Sequence, residues 1–240
     1  MVFYLISLGL NEKSFSLESV SALKKCKKIY LENYTSVLNG NLNYLEKIIN
    51  KKITKAERNF VENFDVLEAK KNNIAFLVVG DVFSATTHIS LFNDCRNKNI
   101  EVRVFNNASI ITAVGIIGLS LYNFGKVASI PFENKNVEGT IKILKDNLKI
   151  NAHTLFLLDL NPGENKYLSI RDAIEYLERN NVDEKIVGCA RLGNENFAVK
   201  YGNMKKIKNF DFGKGPYCLI VPAKKLHFIE EEVLEKWKII

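Results

Sequence analysis

Three polar stretches carry the residue types from which chemistry could be built: Glu32-Asn33-Tyr34-Thr35-Ser36, Gly80-Asp81 and Thr86-Thr87-His88. Carboxylates and histidine are the usual general acid–base groups, so Asp81, His88 and Glu32 are the candidates to accept a proton or orient a reacting amine. The stronger catalytic signatures are absent. There is no G-x-S-x-G elbow, no phosphate-binding G-x-x-x-x-G-K-[ST], no H-E-x-x-H and no G-x-G-x-x-G after the first apolar run. The remaining histidines, His153 at the start of a strand pattern and His227 in the last helical one, read as structural or exposed. No local grouping of histidines and carboxylates suggests a metal site.

All three stretches stand next to the ends of apolar runs. Residues 74–79, Ile-Ala-Phe-Leu-Val-Val, form an unbroken apolar segment, the pattern of a strand buried on both faces of a parallel sheet. Gly80-Asp81 stops it abruptly, and a helix is expected from Ala85 onward with apolar positions at Ala85, Ile89, Phe92 and Cys95. A strand running through such a turn into a helix places the loop at the carboxyl edge of the sheet, where open α/β proteins bind ligands. The plainer alternative is that Gly80 permits a tight turn and Asp81 caps the helix. Glu32, Tyr34 and Thr35 fall at the end of another strand pattern, 28–31, on the same edge.

Up to about residue 107 strand and helix patterns alternate: strands at 2–6, 28–31, 52–54, 74–79 and 100–105, helices opening at Ser16-Leu17-Glu18, at 42–49 and at 61–71. Alternation of this kind argues a mostly parallel sheet with crossover helices. After an apolar helix at 110–121 the character changes to short strands at 126–130, 153–158, 185–191, 196–200 and 217–221, two of them in a hairpin around Gly193-Asn194-Glu195. Helices are expected at 137–147, at 168–179 with Ser169 and Asp172 as a capping box, and at 226–237. The fold class is therefore α/β in two domains, 1–107 with a mostly parallel sheet and 108–240 with a mixed sheet, with a ligand cleft expected between them.

Composition sets outer limits. Hydrophobic residues make up 47% and charged residues 25% of 240 residues, ordinary values for a globular chain. The formal charge of +7 comes from 28 Lys and 6 Arg scattered along the sequence, which reads as residue usage rather than a nucleic-acid groove. Four separated cysteines (26, 95, 189, 218) read as free buried thiols in a reducing compartment. Met1 leads straight into a strand pattern, and the interrupted apolar stretch 108–124 is too short for a membrane span. A soluble, cytoplasmic protein is expected. Chemistry without a strong base or metal suits a substrate that carries its own activation. S-adenosylmethionine is such a reagent, because its sulfonium is the leaving group and in-line placement supplies most of the catalysis.

The motifs Gly9-Leu10, Glu32-x-Tyr34-Thr35-Ser36, Gly80-Asp81 followed by Ala85-Thr86-Thr87-His88, Asn107-Ala108-Ser109-Ile110, Leu158-Asp159, Ala190-Arg191 and Asp211-Phe212-Gly213 together resemble the diphthine synthase family, of the tetrapyrrole-methylase fold. The order and spacing match over residues 1 to about 230. The resemblance implies two α/β domains clasping S-adenosylmethionine, usually in a homodimer, with S-adenosylhomocysteine as product. It implies methylation, to the trimethylammonium stage in archaeal-type members, of the amine of a 3-amino-3-carboxypropyl group on a histidine of translation elongation factor 2. Eukaryotic members add a methyl ester; the compact, Lys/Asn/Ile-rich chain looks archaeal-type. It also implies cofactor contacts at Leu10, Asp81, Ser84, Ser109, Ile110, Leu158, Ala190 and Tyr217. Ser7 stands where the family usually has Gly, Val82 replaces a Pro, Tyr217 falls where a His-side contact is usual, and the segment after Pro131 is shorter. Two rivals remain: a same-fold methyltransferase acting on ribosomal RNA or a tetrapyrrole, and a non-catalytic basic binding module.

Overall fold

The computed structural model describes residues 1–38, 40–135 and 137–239. The chain divides into two compact units, Met1–Ile111 with Pro162–Glu164, and Thr112–Asn161 with Asn165–Ile240.

In the first unit, β1 (Val2–Ser7), β2 (Lys28–Glu32), β3 (Thr54–Ala56), β4 (Ile74–Val78) and β5 (Glu101–Phe105) form one five-stranded sheet in the order β3-β2-β4-β1-β5. Every pairing is parallel, as the alternating strand and helix patterns predict. Side-chain alternation divides the two faces. Tyr4, Ile6, Ala75 and Leu77 pack with Val20, Leu23, Leu45 and Ile49 of α1 (Leu17–Leu23) and α2 (Leu42–Ile49). Phe3, Leu5, Ile74, Phe76 and Val78 pack on the opposite face with Val61 of α3 (Arg58–Glu62) and Leu91 and Cys95 of α4 (Ile89–Asn97). Both faces of β4 are thus covered, which is why its sequence is apolar at every position.

Three helical expectations are corrected. The polar helix at 61–71 is α3 followed by a 3₁₀ turn, Val66–Lys70. The helix expected from Ala85 starts four residues later, because Ala85 adopts a left-handed φ of 60° and the chain loops until His88. The long helix at 110–121 is α5 (Ile110–Ala113), a 3₁₀ turn over Val114–Ile117 and a reversal at Gly118.

The second unit holds β6 (Ala128–Ile130), α6 (Glu138–Lys149), β7 (Thr154–Leu158), the small pair β8 (Leu160–Asn161) and β9 (Lys166–Tyr167), α7 (Ile170–Arg179), β10 (Lys185–Ala190), β11 (Ala198–Asn203), α8 (Met204–Lys208), β12 (Tyr217–Val221) and α9 (Phe228–Lys236). Its main sheet runs β11-β10-β12-β7-β6. Only β6 and β7 pair in parallel, so the sheet is mixed as expected, and β10 and β11 form the hairpin around 193–195. The expected capping box opens α7: Ser169 Oγ accepts from Asp172 N–H at 3.1 Å, and Asp172 Oδ2 from Ser169 N–H at 3.2 Å. Helix α8 buries Met204 and Ile207 in the core of this unit.

Candidate functional site

In the first sheet, β1 and β4 are neighbours, yet the chain leaves β1 toward β2 and leaves β4 toward β5, in opposite directions. Where connections diverge in this way, the loops part and leave a crevice beyond the carboxyl ends of the strands. At this switch point the loops are joined by two backbone hydrogen bonds, Gly9 N–H to Gly80 O at 3.1 Å and Gly80 N–H to Gly9 O at 2.7 Å. Both glycines have positive φ, 72° and 84°, and a Cβ on Gly9 would meet Ser14 Cβ at 2.5 Å, so neither turn admits a side chain without strain. A Cβ on Gly80 would stand 3.8 Å from Ser109 Cα and 3.9 Å from Leu10 Cδ2. Leu10, Gly80 and Ser109 are therefore brought together from three separate loops.

Asp81 follows Gly80, and its carboxylate is held by four donors. Oδ1 accepts from Phe83 N–H at 3.0 Å and Ser84 Oγ at 3.2 Å. Oδ2 accepts from Asn107 N–H at 3.3 Å and, at a long 3.4 Å, from Ser7 Oγ. A carboxylate offers about four lone-pair sites, so the protein itself occupies the whole hydrogen-bonding capacity of Asp81. What the group presents to a ligand is its charge and the loop it shapes. Asn107 extends the arrangement through Nδ2, which donates to Ser14 O at 2.9 Å and Ser7 O at 3.3 Å. Neither Ser7 nor Asn107 is among the contacts expected from sequence. Asn107 lies inside the motif Asn-Ala-Ser-Ile, and that was the available signal. Ser109 is buried, and its Oγ accepts from Ile111 N–H at 3.2 Å at the entrance of α5, beside Ile110. Because α5 has only four residues, it lacks the axial dipole on which anion capture at a long helix would rest.

At the end of β2, the other neighbour of β4, Glu32 and His88 form a second polar cluster, both almost wholly buried. The Glu32 carboxylate accepts from the backbone N–H groups of Tyr34 and Thr35 and from Thr35 Oγ1 at 2.6 Å. His88 immediately precedes α4 without a side-chain capping bond, and its Nε2 lies 3.8 Å from Glu32 Oε2. That separation is too long for a hydrogen bond, and among the described residues Nε2 has no hydrogen-bond partner. Burial pushes the Glu32 carboxyl up, but His88, Thr35 and Tyr34 together outweigh it and hold it below its ordinary value. Ser36 Oγ donates to Val79 O at 3.2 Å and ties this turn to the end of β4.

Three expected contacts lie in the second unit and share one end of its sheet. Ala190 pairs with Tyr217, and Cys218 pairs with Leu157, so Leu158, Tyr217 and Ala190 stand side by side. The side chains of Leu158 and Ala190 are part of the hydrophobic core, which leaves their backbone as the accessible chemistry. The Tyr217 hydroxyl donates to Gly213 O, and burial raises its pKa. His153 and His227 have structural partners: His153 Nδ1 accepts from Ala223 N–H at 2.9 Å, and His227 caps α9. Among the described residues, no three His, Cys, Asp or Glu side chains are gathered as a metal site, and no helix is long and apolar enough to cross a membrane.

Comparison with known proteins places this architecture. A family model described as tetrapyrrole (corrin/porphyrin) methylases matches residues 2–208. The diphthine synthase of Methanocaldococcus jannaschii is 39% identical over 249 residues, covering 96% of each chain. The diphthine methyl ester synthase of Kluyveromyces lactis is 35% identical over 264 residues, covering 97% of this chain and 89% of its own. A crystal structure of diphthine synthase superposes with a TM-score of 0.92 at 33% identity, covering 99% of this chain and 96% of that one. Matched along nearly its whole length by such relatives, the chain belongs to the diphthine synthase family of the tetrapyrrole methylases, a family of methyltransferases.

Proposed function

We propose that the protein transfers methyl groups from S-adenosylmethionine to the amine of the 3-amino-3-carboxypropyl group on a histidine of translation elongation factor 2, giving diphthine and S-adenosylhomocysteine. The observation that carries this reading is near full-length similarity to the diphthine synthase of M. jannaschii and the diphthine methyl ester synthase of K. lactis. The residues of the β1/β4 edge fit such a donor. Glycine backbone stands between Leu10 and Ser109, offering an apolar contact and an unobstructed main chain, and the Asp81 carboxylate supplies a fixed negative charge suited to a cationic ligand. Ser84, Ile110, Leu158, Ala190 and Tyr217 are proposed as further contacts on the strength of the family resemblance.

S-adenosylmethionine supplies, when bound, a methyl group on a sulfonium centre that needs no further activation. The chain then has to place and desolvate the acceptor. A free alkylamine has a pKa near ~10, and burial beside positive charge lowers it, raising the neutral fraction that can attack. The first two transfers each release a proton; the third leaves a permanent cation, so the series stops by chemistry. Glu32 is saturated by its own turn and has His88 as its neighbour, so both are assigned to holding the 33–36 turn in place, and water takes the released protons. Four buried free thiols accord with a cytoplasmic enzyme. An apolar surface formed by Ile116, Leu121, Tyr122, Phe228 and Ile229 is the proposed homodimer contact.

Mass spectrometry of the elongation-factor precursor, incubated with the protein and S-adenosylmethionine, tests the reading. Three methyl increments on the modified histidine are expected. A fourth, removable by mild base, would assign the methyl ester activity of the K. lactis relative instead, and an unmodified substrate beside a methylated RNA or tetrapyrrole would overturn the assignment.

A further inference from the structure

Ser7 ends β1 with no solvent exposure, yet it carries a hydroxyl to the Asp81 loop. The Ser7 oxygen accepts from Val82 N–H at 2.9 Å, and its O–H points to Asp81 Oδ2. Val82 occupies the second position of a β-turn closed by Ser84 N–H to Asp81 O at 3.2 Å. Its side chain is fully buried, so water cannot replace a lost partner for that N–H. The Ser7 carbonyl is in turn held by Asn107 Nδ2, whose own backbone N–H reaches Asp81. The Ser7 hydroxyl therefore joins the end of β1 to the loop after β4, and its carbonyl joins it to the loop after β5.

We infer that Ser7 is a positioning residue for donor binding, setting the Asp81–Ser84 turn by satisfying Val82 N–H and steadying the Asp81 carboxylate. This rests on the proposal that the β1/β4 edge binds S-adenosylmethionine. Ser7→Ala leaves Val82 N–H buried and unpaired, so the turn must open or shift. Proline has no N–H and is favoured at the second position of such turns, so Val82→Pro removes the orphan that Ser7→Ala creates.

The experiment is a double-mutant cycle read by titration calorimetry with S-adenosylhomocysteine, with thermal unfolding recorded alongside. S7A is expected to weaken binding about tenfold. V82P alone should change it about twofold or less, and S7A/V82P should recover most of the loss. If S7A binds like the wild type while melting lower, Ser7 is merely structural and the inference falls. If S7A and S7A/V82P are equally impaired, the Val82 N–H is not the route and the inference also falls. Should S7A fail to fold, the double variant decides: folded and binding supports the inference, unfolded overturns it. A wild-type protein that does not bind S-adenosylhomocysteine would instead remove the underlying donor assignment.

Discussion

Glu32 is a carboxylate buried almost completely, and among the described residues no Lys or Arg pairs with it; its own turn and His88 hold its pKa down. Its folded pKa lies below the ordinary value, so its contribution to stability is complete above about pH 4.5 and is lost as pH falls through the folded value. Glu32→Gln keeps the shape but removes the charge and replaces one acceptor oxygen with an NH₂ group, which on the Oε1 side would face the Tyr34 and Thr35 N–H donors. The expected cost is about 1–3 kcal/mol, seen as a lower urea midpoint with an unchanged slope. An unchanged midpoint would mean that the turn does not depend on the carboxylate. At this scale the sequence was informative about single groups and silent about pairs. Gly80-Asp81 is recognisable as a strand-end turn, but the donors to Asp81 Oδ2 lie 26 and 74 residues away. Ser7 and Val82 stand out one at a time as departures from a family pattern, and only the fold puts them in contact.

Elements were legible wherever local pattern and tertiary demand agree. Leu42–Ile49 and Tyr217–Val221 coincide with their patterns, the first capped by Asn41 and the second apolar because both its faces are buried. The start of α4 was not legible, because Ala85 is a good helix former held left-handed by the loop around it. Nor was the short α5, since an apolar run with helical spacing does not reveal that the chain reverses at Gly118. The docking of α9 gives the clearest test at this scale. Glu230 completes a capping box with His227, while its Oε1 accepts from Ser120 N–H at 2.8 Å and lies 3.3 Å from His153 Nε2. Because His153 Nδ1 accepts a backbone N–H, its Nε2 carries the proton toward Glu230. Burial lowers the His153 pKa more than Glu230 raises it, so stability declines as pH falls below about 6.5, where the unfolded histidine takes up a proton first. Burial pushes Glu230 up, but its hydrogen bonds bring it down to about 2, so its contribution is complete above pH 4.5 and lost between there and about 2. Thermal unfolding from pH 7.5 to 4 should therefore show Tm falling with acid. With the series extended to pH 2.5, Glu230→Gln should lower Tm at pH 7 by an amount corresponding to on the order of 1–3 kcal/mol and flatten the limb below pH 4.5, where the wild type loses the Glu230 contribution. A profile parallel to the wild type would place the acid sensitivity elsewhere.

At the scale of the molecule, the alternation of patterns before residue 107 and the hairpin-linked strands after it were enough to read one parallel and one mixed sheet, because those features depend on local connectivity. Strand order was not readable: insertion of β4 between β2 and β1 is a long-range choice, and it creates the switch point on which the proposed site depends. Surface use was equally hidden. Tyr122 is 88% exposed and Phe228 69%, and nothing in their local sequence separates them from core aromatics. Glu230 ties the 120–123 turn, with Leu121 and Tyr122 exposed, to the first turn of α9, with Phe228 and Ile229 exposed. A patch of that character on a monomer is costly in water, and a second copy of the chain is the occupant that would cover it in every molecule at once. A two-fold contact presents the same patch on both sides, so charges placed there face each other and their cost is paired. Light scattering coupled to gel filtration should give a dimer for the wild type and a monomer for Tyr122→Glu/Phe228→Glu, while circular dichroism stays unchanged because neither side chain is in a core. A double variant that remains dimeric would exclude this surface as the contact.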